Sequence, residues 1–384
     1  MSNRAGDETG AEAGRRQADA ERILADLVGF PTVVGHPNGD LMSYVADMLS
    51  TAGVSCRVLM GPEGDRANLF ATIGDPSVPG YVLSGHVDVV PADEPGWKGD
   101  PFLLRRVEER LIGRGACDMK GFVAAVLSAL PDLAAMPLSA PVHIALSYDE
   151  EAGCRGVPHL IAALPQLCAP PLGCIIGEPT GLHPVLAHKG KAALRVRAQG
   201  RGGHSARPDL GDNAIHRLIP VLSAAVARAT EVQTGPLDDR FAPPWSSLQV
   251  GTVSGGQALN IIPDAAEARI EARAIAGVDP AALLQPVVAA ARDCEVEWLS
   301  SYPALDLPPD APLARLATEL GGRRPHAAVS FGTEAGLFQA AGLPAIVCGP
   351  GDIARAHLPE EYLRRDELAA ARDLVLALGR HLSH

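Results

Sequence analysis

Residues 81–91 read YVLSGHVDVVP: a short apolar run, then a histidine and an aspartate one residue apart. In an extended chain the side chains of residues i and i+2 point to one face, so His86 and Asp88 converge on a single point at the end of the strand. Taken alone, such a pair is more often an ordinary polar surface couple. What decides the matter is whether other strands end in the same way.

They do. The apolar run at 142–147 leads into Asp149-Glu150-Glu151, the run at 173–176 into Glu178, and the run at 345–348 into Gly349-Pro350-Gly351 and then His357. A further apolar run spans 67–73, and helix-like stretches at 121–130, 157–164 and 334–341 lie between the runs. This alternation argues for an α/β domain with helices on both faces of a mostly parallel mixed sheet. Ligands of such sheets gather at the carboxyl ends of the strands, so these histidines and carboxylates are expected on one rim. Ahead of them, helices are expected at 16–29, ended by Pro31, and at 41–52.

The stretch from about 184 to 300 has another rhythm. Its strands alternate apolar and polar residues, as in Ala193-Leu194-Arg195-Val196-Arg197-Ala198, which leaves one face wet. The order is strand (191–199), helix (213–230), strand (246–254), strand (264–274), helix (280–293), strand (294–300). That is the split βαβ plan of a ferredoxin-like α+β sandwich. The chain is therefore expected to hold a discontinuous first domain, 1–183 with 301–384, and a second domain, 184–300, inserted into it.

Length and composition agree with two domains, since 384 residues exceed what one core usually serves. A net charge of −12 without a basic cluster argues against nucleic acid or an anionic membrane as partner. Seven cysteines without a C-x-x-C pair fit reduced thiols, and no run approaches the ~18 apolar residues of a membrane span. A cytoplasmic protein with a frayed, polar N-terminus is expected.

Asp118 joins the rim through GRGACDMKG (113–121), a glycine-rich loop leading into an apolar helix. Capping that helix is the commoner job for an aspartate there, and bridging metals is the other. Both can hold, because a carboxylate has two oxygens. The adjacent Glu150 and Glu151 repel one another unless a cation or proton intervenes, or unless they sit in a solvated loop. With a metal, one ligates and the other stays free to move protons.

The set His86, Asp118, Glu151, Glu178 and His357 offers imidazole nitrogen and carboxylate oxygen without thiolate, which suits Zn²⁺ and also Co²⁺ or Mn²⁺. Five ligands are too many for one open zinc and about right for two metals sharing a bridge. Asp88 then falls behind His86, orienting its other ring nitrogen. No strand is followed by G-x-G-x-x-G, which excludes a dinucleotide site.

These motifs, SGHVDVVP, GRGACDMKG, YDEEAG, GEPT and GPGDIARAH, resemble those of the M20 family of metallopeptidases and deacylases, in that family's order along nearly the whole chain. The wording of FPTVV, DEEAGCRG, GEPTGLHPVLAHKGK, ALNIIPD and FGTEAGLFQAAGLPAIVCGPG is most similar to its acetylornithine deacetylase branch. The resemblance implies two Zn²⁺, His86 and Glu178 holding one, Glu151 and His357 the other, and Asp118 bridging. It makes Glu150 the general base that takes a proton from water and then protonates the leaving amine.

The same resemblance makes the inserted domain a lid and dimerisation domain, implies a homodimer, and gives His204, in RGGHSARPDLGDNAI, the task of stabilising the oxyanion in the partner's site. Asn260 and Arg273 match substrate contacts, although an arginine on an alternating strand is more often a wet-face residue. The loop Ser330-Phe331-Gly332-Thr333-Glu334 offers N–H groups at a helix start to a carboxylate, and Glu334 either meets a substrate ammonium or favours the helix N-terminus. The implied substrate is a small N-acyl amino acid. The rivals are a desuccinylase acting on succinyl-diaminopimelate, an amidohydrolase for another N-acyl or N-formyl amine, and a metal-binding homologue without catalysis. Retention of Glu150 counts against the last.

Overall fold

The structure, a computed structural model, describes the backbone of residues 3–383 and side chains from residue 14 onward. The chain divides into two compact units, Met1–Leu186 with Leu307–His326 and Thr333–His384, and Ala187–Asp306 with Ala327–Gly332.

In the first unit six strands form one sheet, in the order Cys56–Met60, Ala67–Ile73, Val142–Ser147, Tyr81–His86, Gly173–Pro179, Ala345–Gly349. The last four run parallel to one another, Ala67–Ile73 runs against them, and Cys56–Met60 runs against Ala67–Ile73, so the sheet is mixed and mostly parallel. Tyr81–His86 and Val142–Ser147 are buried at every position, which is why they read as continuous apolar runs instead of alternating. Their register sets His86 opposite Ser147, so the residues that follow the two strands leave the sheet side by side.

Helix Lys120–Ala135 is the central helix of this unit, buried over its whole first three turns. It packs against Asn3–Val28 and Arg365–His381, and the core joins Leu24, Leu27, Phe122, Val126, Leu130, Val375 and Leu378. The first helix runs Asn3–Val28, so the backbone is helical from Asn3 where a frayed tail is expected; residues 1 and 2 lie outside the described residues. The apolar stripe reports only the turns that pack, and burial begins at Ala20 and Ile23.

Four strands have little or no sequence signal. The edge strand Cys56–Met60 is half exposed, and the small sheet of Arg105–Val107, Arg110–Ile112 and Tyr362–Arg364 is built from three-residue strands rich in arginine. Tertiary pairing creates these, not periodicity.

The second unit is a four-stranded antiparallel sheet in the order Ser247–Gly255, Ala265–Ala274, Gly190–Gln199, Cys294–Tyr302, with helices Ala214–Glu231 and Pro280–Ala290 packed on it. Leu194, Val196, Ala268 and Ile270 meet Leu218, Val221, Leu284 and Val287 in its core. Arg195 and Arg197 on the other face pair with Glu267 and Glu297. This is the α+β ferredoxin-like plan.

Candidate metal centre

The carboxyl ends of the parallel strands bring seven charged side chains of the first unit together: His86, Asp88, Asp118, Glu150, Glu151, Glu178 and His357. His86 Nε2 lies 3.1 Å from Asp118 Oδ1 and 3.7 Å from Glu178 Oε1. His357 Nε2 lies 3.3 Å from Asp118 Oδ2 and 2.8 Å from Glu151 Oε1. Asp118 thus faces a different imidazole with each oxygen. It does not cap the helix that follows: the N-cap position is Met119, and no side chain bonds there.

These residues fit metal ions. Donor atoms bound at the usual distances around one tetrahedral zinc stand about 3.4 Å apart, which is the spacing found between the two imidazoles and their carboxylates. One ligand atom from each of His86, Asp118 and Glu151, and likewise of His86, Glu150 and Glu178, lies within 4.8 Å of the others. The tautomer fits as well. Nδ1 of His86 is 2.9 Å from the main-chain carbonyl of Asp88, so Nδ1 carries the proton and the Nε2 lone pair is left for a cation.

The electrostatics favour a cation in the same place. Burial raises the carboxyls of Glu150, Glu151 and Glu178, and the neighbouring carboxylates raise them further, while His86 pulls them down. Asp118 is held low against its own burial by hydrogen bonds from His357 and His86. Those of Asp118 and Glu151 lift His357 to about 10. A dication offsets this buried negative excess directly.

Asp88 stands behind His86 as expected and has a second task. Its oxygens accept the main-chain N–H groups of Glu150 and Glu151, both at 3.1 Å, while Oδ1 stands 3.5 Å from His86 Nδ1. The ring is held chiefly by the Asp88 carbonyl, and the carboxylate fixes the Glu-Glu turn.

Glu334 differs from expectation. It is fully buried, and its two oxygens accept the hydroxyls of Ser84 and Ser147 at 2.6 and 2.7 Å, clamping the strand that ends in His86 to the strand that leads into Glu150. Thr333 is buried beside it, its hydroxyl accepting the Ala335 N–H at the start of helix Ala335–Ala340.

The second unit carries the other candidates. His204 sits exposed in the short pairing of Gly203–His204 with Ile261–Ile262, and its Nδ1 accepts the Ala206 N–H, which puts the ring proton on Nε2. Asn260 is exposed, its carbonyl accepting from Ser205. Arg273 is half buried and bonded to Glu271 at 2.8 Å and to Tyr302. Gly332 packs so close to the Tyr302 ring and the Lys189 carbonyl that no Cβ fits.

Gly177, Cys154, Arg114 and Glu361 further support the centre, and of these Glu361 alone lies outside the quoted motifs. Gly177, just before Glu178, lies against the Phe122 ring with no room for a side chain. Cys154 Sγ donates to Glu150 Oε1 at 3.4 Å, and Arg114 and Glu361 form a buried ion pair at 2.9 Å beside the Asp118 loop. The glutamate pair at 360–361 was the only signal of the last.

Residues 82–381 match the model of peptidase family M20/M25/M40. The chain belongs to this family. Acetylornithine deacetylase of Edwardsiella ictaluri (strain 93-146) is 33% identical to this M20 chain over 358 residues, 90% of this chain and 91% of that protein. Acetylornithine deacetylase of Myxococcus xanthus is 35% identical over 372 residues, 92% and 94% of the two. Among solved structures, the M20 metallo-carboxypeptidase Sso-CP2 of Sulfolobus solfataricus shares the fold with a TM-score of 0.79 at 18% identity, covering 95% of this chain and 99% of its own. Human carnosine dipeptidase 1 does so with a TM-score of 0.75 at 18% identity, over 97% and 98%. No helix among the described residues of this M20 chain is long and apolar enough to cross a membrane.

Proposed function

We propose that the chain is a two-zinc amidohydrolase that converts N²-acetyl-L-ornithine and water to L-ornithine and acetate, a step of arginine biosynthesis. The observation that carries the substrate is the 33–35% identity, over nine-tenths of each chain, to two proteins named acetylornithine deacetylase. The chemistry rests on Asp118, whose oxygens face two imidazoles that each have further carboxylates beside them.

In this reading His86 and Glu178 hold one ion, His357 and Glu151 the other, and Asp118 both, with Co²⁺ or Mn²⁺ as substitutes. Such a pair polarises an amide carbonyl and lowers the pKa of water to about 7. Glu150, fixed through its N–H by Asp88, takes the proton from water and returns it to the departing amine. A carboxyl raised by burial suits this, because it must hold a proton between the two steps.

On the second unit, Nε2–H of His204 is the donor proposed for the oxyanion in a partner subunit's site, and Arg273 the fork proposed for the substrate carboxylate, with Asn260 and the Gly332 main chain as further contacts. The reading includes a cytoplasmic homodimer joined through this unit. All seven cysteines are free, which supports a reducing compartment.

The test is a side-by-side assay of the Zn- and Co-loaded protein on acetylornithine, other N-acetyl amino acids and succinyl-diaminopimelate, with and without chelator. Acetylornithine is expected to lead by at least about tenfold in kcat/KM, a difference of about 1.4 kcal/mol in the barrier. Equal rates on all substrates, or full activity in chelator, would sink the reading.

A further inference from the structure

Glu361 is a buried carboxylate to which neither the proposed ligand set nor the proton transfer assigns a role. Its place is fixed from two sides. The strand Tyr362–Arg364 pairs with Arg110–Ile112, and the Glu361 carbonyl accepts the Gly113 N–H at 3.0 Å, which sets the side chain beneath the loop that follows. There Oε2 accepts Nη1 of Arg114 at 2.9 Å and the Gly115 N–H at 3.1 Å, and Oε1 accepts the N–H groups of Cys117 at 2.9 Å and Asp118 at 3.0 Å.

Four donors from one five-residue loop therefore end on one carboxylate. Three are main-chain groups in a buried turn, where a donor that loses its acceptor is costly. Arg114 in turn is tied to Glu94, to the carbonyls of Pro91 and Leu358, and to the face of Trp97. The loop is thereby anchored to both neighbouring chain segments.

Glu361 also lies four residues after His357 in the segment HLPEE. One short piece of chain thus carries an imidazole that faces Asp118 and the acceptor that holds the Asp118 main chain. The other half of the cluster is built differently, on His86 and Glu178 from neighbouring strands of the sheet. Loss of the Glu361 anchor therefore bears on two of the three groups Asp118, Glu151 and His357, but on the other half only through the shared Asp118.

We infer that Glu361 is a positioning residue that sets the distance between Asp118 and His357, and so governs occupancy of the metal position formed by Asp118, Glu151 and His357. The inference rests on the two-metal reading above. Glutamine at 361 preserves size but turns an NH₂ group toward one pair of donors, so the effect belongs to the carboxylate and not to packing.

Metal-free protein is titrated with Zn²⁺ and with Co²⁺ against a chromophoric chelator, alongside thermal melting of the metal-free protein and steady-state kinetics. The parent protein is expected to bind two equivalents. In Glu361→Gln one equivalent loses about 10- to 100-fold, the range for loss of a group supporting a ligand, and the other loses less. The Co²⁺ absorption of the equivalent that weakens changes, and kcat falls with KM nearly unchanged. Glu360→Gln, which removes the charge behind the contacts to Lys98 N–H and Arg105 instead, leaves both affinities as they were.

If Glu361→Gln gives no folded protein, Arg114→Gln loosens the same loop from its other side and is read by the same two affinities. Unchanged affinity for both equivalents overturns the inference. So does an equal loss at both positions that tracks the melting temperature, which is what a merely structural role would give. Fewer than two equivalents in the parent protein overturns the two-metal reading and this inference with it.

Discussion

Asp118 and His86 meet through a single carboxylate oxygen, Oδ1 to Nε2 at 3.1 Å, which leaves Oδ2 for His357 at 3.3 Å. One residue thus belongs to both halves of the cluster. Asp118→Asn keeps the shape but replaces one acceptor oxygen by a donor and removes the charge. Both metal affinities are expected to fall by more than about 100-fold, beyond the loss typical of a supporting group, as read by metal analysis after gel filtration. Retention of two ions by the variant would remove Asp118 from the ligand set.

Glu150 faces the same cluster, yet the reading above gives it protons to move and no ion to hold. Glu150→Ala is expected to lower kcat by about 10²- to 10⁴-fold, the usual worth of a general base, while metal content stays at the parent level. A variant that loses its metal together with its activity would show Glu150 to be a ligand, as its closeness to His86 and Glu178 allows.

Asp88→Asn tests the turn. One of the two N–H groups, of Glu150 or of Glu151, would lose its acceptor, at a cost of about 1–3 kcal/mol for a buried unsatisfied group. The expected result is a folded protein with kcat down by about 10- to 100-fold and KM little changed. A fall in metal affinity alone, with turnover of the loaded enzyme intact, would return Asp88 to the simpler duty of orienting His86.

Acid sensitivity should come from two histidines outside the cluster. Burial lowers His143 to about 4 and His188 to about 4. Unfolding returns both to about 6.5, so between those values the unfolded chain binds more protons than the folded one. Their contribution is complete above pH ~6.5 and is lost as the pH falls through the folded value, at most about 3 kcal/mol each. Urea unfolding at pH 7, 5.5 and 4.5 reads this slope, and His143→Leu should flatten it. An unchanged slope would assign the acid lability elsewhere.

The sheet and its rim were legible because they rest on local patterns: buried parallel strands are continuous apolar runs, and the chemistry stands directly after them. His86, Glu151, Glu178 and His357 could be found this way. What could not be read was the hydrogen bonding behind them. Asp118 reads from the sequence as a helix cap, and only the fold shows that the cap position falls on Met119. Glu334 meets Ser84 and Ser147, and Glu361 meets the 114–118 loop, across hundreds of residues of chain. No local periodicity encodes such a pairing. The three-residue strands around residue 110 stayed hidden for the same reason.

His357 and the Glu361 carboxylate share the short segment 357–361, so their spacing along the chain is fixed by three residues. An insertion or deletion between them would shift the imidazole against the acceptor that holds the Asp118 loop, while His86 and Glu178 keep their register on the sheet.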